Sequence, residues 1–191
     1  MKAIFILLAT SLAALANPEP QFQNNSLDGW KREGADAWSL ADGVLTGTND
    51  EKKTGSILWS KESFEDFAIE FEFRFSGDID SGVFLRKEND QIQIGVSRSL
   101  KRDMTGSPYI ASEGGYPVEA KGVAELLKKG DWNRMRIEAR GPEYRVFLGG
   151  KEVAVYHSKT AAEKGPVGFQ VHPGVEMTIE FRNISIGKLE S

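Results

Sequence analysis

The run FAIEFEFRF, Phe67 to Phe75, decides the architecture. Phe67, Ile69, Phe71, Phe73 and Phe75 take every second position, with Ala68, Glu70, Glu72 and Arg74 between them. A period of two gathers all five apolar side chains on one face of an extended strand, whereas a helical period of 3.6 would scatter them. The run therefore reads as a strand buried on one face. WNRMRIEAR, Trp132 to Arg140, repeats the pattern, with Met135, Ile137 and Ala139 set against Arg134, Arg136, Glu138 and Arg140.

Outward from these two runs, the same reading predicts strands at residues 37–40, 44–46, 56–59, 82–86, 91–96, 144–148, 153–156, 167–171 and 177–186. Turn signals such as Asp42-Gly43, Gly149-Gly150 and Pro173-Gly174 separate them. Only VAELLKK, Val123 to Lys129, has helical spacing, and it is short. The expected fold is all-β, two antiparallel sheets packed as a jelly-roll sandwich. With 191 residues, 40% of them apolar, and no repeat or low-complexity tract, one domain is expected over residues 17–191.

Residues 1–16 read differently. Lys2, the apolar run Ile4 to Leu8 and the small-residue site Ala14-Leu15-Ala16 form a signal-peptide pattern, with cleavage expected after Ala16. The chain is thus expected to be exported, to a periplasmic or extracellular location, with no membrane attachment after cleavage. Removal of Lys2 leaves 23 basic against 28 acidic residues and no basic cluster larger than a pair, which argues against a nucleic-acid partner. The absence of cysteine excludes disulfides, thiolate metal sites and thiol catalysis. Oligomeric state is left open.

Strand parity places polar residues together. In SGVFLRKENDQIQIGV, Val83, Leu85, Ile92, Ile94 and Val96 are expected to face the core, and Lys87 to Asp90 to form a four-residue loop. The other face then carries Gly82, Phe84, Arg86, Gln91, Gln93 and Gly95, with Arg86 opposite Gln91 and Phe84 opposite Gln93 at roughly 5.5 Å. Planar amides, a guanidinium and an aromatic ring between glycines suit a neutral polyol, and an ordinary solvated sheet face fits the same alternation. In GPVGFQVHPG, Gly165 to Gly174, Val167, Phe169 and Val171 point inward, so Gln170 and His172 point outward, just before a turn. A histidine there is suited to proton transfer or metal binding, or is simply a turn residue. His157 has no such company and is expected at the surface.

The segments DSGVFLR (Asp80 to Arg86), QIQI (Gln91 to Ile94), MTGSPY (Met104 to Tyr109), DWNRMRI (Asp131 to Ile137), GPVGFQVHPG and FRNISI (Phe181 to Ile186) stand in an order that resembles the 3-keto-disaccharide hydrolase family. LDGW, Leu27 to Trp30, resembles that family's opening, so the likeness covers nearly the whole chain. The resemblance implies a concanavalin A-like lectin/glucanase sandwich and a hydrolase, or lyase and hydratase, acting on 3-keto-glycosides. The family's E-x-Q-I-x-D pattern is broken here by Gln91 and Val96. Under this reading His172 is the candidate base and Arg86 the candidate enolate partner, with Phe84, Gln91, Gln93 and Gln170 contacting the sugar. The loop Ser99 to Pro117 is expected to wall the cleft and to supply Lys101, Asp103, Tyr109 and Glu113, with Asp103 or Glu113 replacing the missing carboxylates. No cofactor is required, and a divalent metal is left open.

Two competing readings stand beside this one. Glu70 and Glu72, about 6.5–7 Å apart along their strand, could form a two-carboxylate glycosidase pair. A lectin-like sugar-binding module without turnover is the other. Ser-His-Asp catalysis is disfavoured, since no G-x-S-x-G elbow occurs.

Overall fold

The computed structural model describes residues 15–189, and the expected signal segment lies largely outside them. Two antiparallel sheets make up the molecule. The first runs β13 (Lys151–His157), β12 (Glu143–Leu148), β11 (Asn133–Arg140), β6 (Phe67–Phe75), β15 (Thr178–Leu189), β4 (Val44–Thr48), β3 (Trp38–Ala41), with β1 (Leu15–Pro20) also paired to β15. The second runs β10 (Pro108–Ile110), β8 (Asp90–Ser97), β7 (Asp80–Leu85), β14 (Val167–Val171), β5 (Ser56–Ser60), β2 (Trp30–Gly34), with the short β9 (Arg102–Asp103) beside β8. Neighbours distant in sequence, such as β6 with β15 and β14 with β5, give the chain repeated crossings between the sheets. This is the two-sheet jelly-roll sandwich that the alternation predicts.

The five alternating residues of β6 are all buried, and they meet the inner face of the second sheet. The ring of Phe169 in β14 lies tilted at 4.6 Å from that of Phe181 in β15 and meets Phe71 edge-on at 5.9 Å, which locks the two sheets together. Aromatic pairs in these offset geometries add to the transfer free energy of burial.

Two expectations about local structure are corrected. Val123 to Lys129 is a turn, with Leu126 and Leu127 N–H both donating to the Val123 carbonyl, and Gly122 and Gly130 on either side. Its apolar spacing docks Val123, Leu126 and Leu127 on the core and does not build a helix. The β7–β8 hairpin pairs Phe84 with Gln91 and Gly82 with Gln93, two residues out of the expected register. An even shift keeps each side chain on its face.

The cause of the shift is Arg86. It adopts a positive φ of 65° immediately after β7, and its guanidinium is wholly buried. There it donates to the carbonyls of Glu65, Gly141 (2.7 Å), Ala162 (3.0 Å) and Ala139 (3.1 Å). Close by, the buried Asp90 carboxylate accepts hydrogen bonds from Tyr144 (2.7 Å) and Ser158 (2.9 Å). With both ends of the connection anchored inside the sandwich, six residues, 85–90, separate the last register pair in place of four.

Candidate functional site

The outward side chains of β7, β8 and β14 form the floor of a cleft of about 270 Å³. Two glycines make this floor possible. A Cβ on Gly82 would lie 2.5 Å from Gln91 Nε2, so glycine lets the Gln91 amide lean across β7. It donates to Gln170 Oε1 at 2.7 Å, which leaves the Gln91 carbonyl and one Gln170 amide proton pair for a ligand. Gly168 does the same for the indole of Trp59 on the neighbouring strand, as a Cβ there would approach the ring to 2.5 Å.

At one end of the cleft stand Asp80 and His172. Asp80, 5% exposed, accepts Gln93 Nε2 on one oxygen at 2.7 Å and the Arg98 backbone N–H on the other at 3.1 Å, so its orientation is fixed. His172 Nε2 lies 3.9 Å from Asp80 Oδ2, beyond direct hydrogen bonding but close enough for a strong charge interaction once the ring is protonated. Its Nδ1 is 2.6 Å from the Pro173 carbonyl. A carbonyl only accepts, so this contact assigns the proton to Nδ1 and leaves the Nε2 lone pair free. Asn49 clamps the turn from behind, donating to the His172 carbonyl at 3.1 Å and accepting from the Met177 N–H at 3.0 Å.

The opposite wall is aromatic. Tyr109 and Tyr116 meet edge to face at 5.1 Å, and Ser97, Arg98 and Ser99 close the rim. Burial pushes the Tyr116 phenol up to about 12, so it stays protonated, a hydrogen-bond donor, at neutral pH.

The structure thus brings together Phe84, Gln91, Gln93, Tyr109, Gln170 and His172 of the residues expected from sequence. Four others are elsewhere. Arg86 does not line the cleft, because the carbonyl cage described above draws its side chain into the end of the sandwich. Lys101 is exposed outside the lining. Asp103 accepts the Thr105 N–H at 2.9 Å and faces Lys129 at 3.8 Å, in a separate pocket beside Val123 and Leu127. Glu113 is held by Tyr156 (2.6 Å) and the Lys159 N–H (3.0 Å), and the Tyr156 hydrogen bond keeps its carboxyl below the usual range. Asp80 and Tyr116 were not expected. Asp80 has a legible signal: extending the Gly82, Phe84 parity back by one step places it on the same face.

Glu70 and Glu72 lie on the outer face of the other sheet. Arg134 (2.6 Å) and Arg136 hold Glu70, and Arg182 (2.6 Å) holds Glu72. Neither faces a cleft with the other free to ionise independently, so the arrangement lacks the acid and nucleophile of a glycosidase pair. His157 is exposed, as expected, 3.1 Å from Glu143. Among the described residues no three His, Asp or Glu side chains cluster to hold a metal ion. Asp80 and His172 offer two donors beside neutral amides, a set that fits a tightly held divalent metal poorly.

A family profile described as 3-keto-alpha-glucoside-1,2-lyase-like domain matches residues 17–187. Among solved structures, a Parabacteroides distasonis protein described as a "putative glycosyl hydrolase" superposes with a TM-score of 0.67 at 24% identity, over 91% of this chain and 100% of that one. The Bacillus subtilis carbohydrate binding module CBM66 gives 0.56 at 16% identity, over 84% and 96% of the two chains. The exoplasmic/lumenal domain of VIP36, in its Ca2+/Man3GlcNAc-bound form, gives 0.64 at 12% identity, over 88% and 87%. At such identities the likeness is one of fold. No curated protein matches the sequence.

Proposed function

Because the chain belongs to the 3-keto-alpha-glucoside-1,2-lyase-like family, we propose that it cleaves glycosides whose glucose ring carries a ketone at C3, with His172 as the base. The observation that carries this reading is the His172–Asp80 pair: a free Nε2 lone pair beside a fixed carboxylate. The ketone acidifies the C2 hydrogen. His172 Nε2 takes that proton, and the C–H pair becomes an enolate across C2 and C3. The enolate re-forms the ketone, makes a C1–C2 double bond and expels the C1 oxygen with its bonding pair. Water then adds, hydroxyl to C1 and proton to C2, which completes a net hydrolysis.

Each step has a partner in the cleft. Asp80 stabilises the imidazolium that proton abstraction creates, and its bonds to Gln93 and Arg98 keep it from moving. The protonated Tyr116 phenol and the Gln170 amide donate to the enolate oxygen and hydroxyls, and the Gln91 carbonyl accepts from a hydroxyl. The enolate-binding role assigned from sequence to Arg86 passes to these neutral donors and to Arg98 at the rim. Asp80 takes the place of the carboxylates missing at Gln91 and Val96. No step is routed through a metal. We further propose that the protein works outside the cytoplasm, on the strength of the leader-like residues 1–16.

A neutral, amide-lined floor also suits a sugar-binding module without turnover, the reading that the CBM66 likeness favours. Incubation with a 3-keto-α-glucoside and with its unoxidised parent separates the two. Release of the aglycone from the keto sugar alone is the expected result. Binding of both sugars without release would overturn the enzymatic reading.

A further inference from the structure

One row of side chains crosses the whole outer face of the second sheet. Register pairs Tyr109 with Gln91, Gln91 with Phe84, Phe84 with Gly168, Gly168 with Trp59 and Trp59 with Lys31. At about 4.8 Å per strand the row is roughly 24 Å long, about twice the width of the cleft floor. Its first half is that floor. Its second half opens into a distinct groove of about 530 Å³, walled by Trp59, Lys31, Lys61, Lys87 and Pro166.

The two spaces adjoin. Glu88 borders both, and Phe84, which lines the cleft, lies 5.4 Å from the Trp59 ring that lines the groove. Trp59 is a fixed surface: its Nε1 donates to Glu33 at 3.1 Å, and Gly168 beneath lets it lie close against the sheet. At 9% exposure it is a wall of the groove and not a projecting platform.

Their chemistry differs. The cleft offers amides, phenols, a carboxylate and an imidazole, groups that read hydroxyls. The groove offers an indole, a proline ring and lysine stems that can cover a flat apolar ring, with Glu33, Ser60 and Glu88 at its edges. From His172 to Gly168 is four residues along β14, about 13 Å, room for one pyranose beside Gln170 and one further ring beyond it.

We propose that the groove walled by Trp59 is the aglycone subsite of this cleft, and that it selects 3-keto-glucosides of phenols over 3-keto-disaccharides. The proposal rests on the 3-keto-glycoside reading above. Elimination supports it independently. When C1–O breaks, its electron pair leaves on the aglycone oxygen. A sugar alkoxide needs a proton at that moment; besides Asp80 the cleft walls hold only the exposed carboxyl of Glu88, and the groove adds Glu33 and the ammonium groups of Lys31, Lys61 and Lys87. A phenol ionises near pH 10 and leaves as phenolate without that help. The proton removed from C2 stays on His172 until water adds.

The test compares phenyl 3-keto-α-glucoside, methyl 3-keto-α-glucoside and a 3-keto-disaccharide by calorimetric titration and by kcat/KM, on the full chain and on Trp59→Ala and Trp59→Phe. The phenyl glycoside should bind about 10-fold more tightly than the other two, a stacking gain of ordinary size. Trp59→Ala should collapse that ratio towards one, and Trp59→Phe should keep part of it. Equal binding of all three, preference for the disaccharide, or an equal loss for all three in Trp59→Ala would overturn the proposal and leave the 3-keto-glycoside reading standing. Failure of all three to bind would overturn both.

Discussion

The two outer faces of the sandwich are built by the same alternation and end up chemically opposite. On the first sheet many outward positions are charged and matched, across strands for Glu70 with Arg134 and Arg136, Glu72 with Arg182, Arg74 with Glu180 and Arg145 with Glu152, and along β11 for Arg136 with Glu138. Arg74 and Arg182 also lie over the Trp132 ring, at 4.7 and 4.0 Å. These charges satisfy one another and leave little on this face to hold a ligand. On the second sheet the cleft floor carries amides, a glycine and aromatic rings with one carboxylate and one imidazole, and the charged side chains gather at its rim and in the neighbouring groove. Its donors are only partly used, and its glycines leave space above them. Charge density marks the self-satisfied face, and sparse polarity over glycine marks the face with capacity to bind.

The sharpest way to break this contrast is His172→Ala. Turnover of a 3-keto-glycoside should fall about 10²–10⁴-fold while sugar affinity changes little, measured by rate and by calorimetry on the same preparation. An unchanged rate would return the second face to the role of a lectin surface. Asp80→Asn comes next: it keeps the shape and removes the counter-charge of the imidazolium, so kcat should drop about 10-fold with KM nearly constant. A rise in KM alone would instead make Asp80 a sugar contact. Gly82→Ala pushes a Cβ into the Gln91 amide, and a several-fold loss of sugar affinity is expected as the Gln91–Gln170 bridge opens. Unaltered affinity would show that the bridge does not shape the floor.

The smallest effect is expected on the charged face. Burial pushes the Glu70 carboxyl up, but hydrogen bonds from Arg134 and Arg136 outweigh it and hold the group below its ordinary value. A lowered value in the folded chain stabilises the fold above the ordinary carboxylate range, and this is lost as pH falls through the folded value. Glu70→Gln should therefore leave turnover intact and cost about 0.5–1 kcal/mol at pH 7. In thermal melts the difference from the parent should shrink below about pH 4. A loss of rate in this variant would erase the distinction between the faces.

Most of the fold was legible because burial on one side of a strand writes itself as alternation. The strand β2 was not, since only Trp30 of its five residues is buried and an edge strand with no inner face carries no period. Parity also gathered Gln91, Gln93, Gln170 and His172, as parity survives an even slip in register. Arg86 was misplaced for a reason no period encodes: its side chain leaves the sheet after a left-handed residue to meet carbonyls from distant segments. The loop from Ser99 to Pro117 does wall the cleft, through Tyr109 and Tyr116. Its charged members, chosen by type, turn elsewhere. Composition tells which residues a loop offers, and only tertiary packing tells which way they point.

The Arg86 cage bears on how the protein comes apart. Its hydrogen bonds join residue 86 to positions 21, 53, 55 and 76 residues away in the chain, so none can form until both sheets have docked. Contacts that close after the transition state are lost before it on unfolding, and the cage is expected to be among them. Replacing Arg86 with Lys, which cannot span four carbonyls with three protons, should leave the folding rate nearly unchanged and accelerate unfolding. The cage is then a brake on opening, and it sets how long a folded molecule survives.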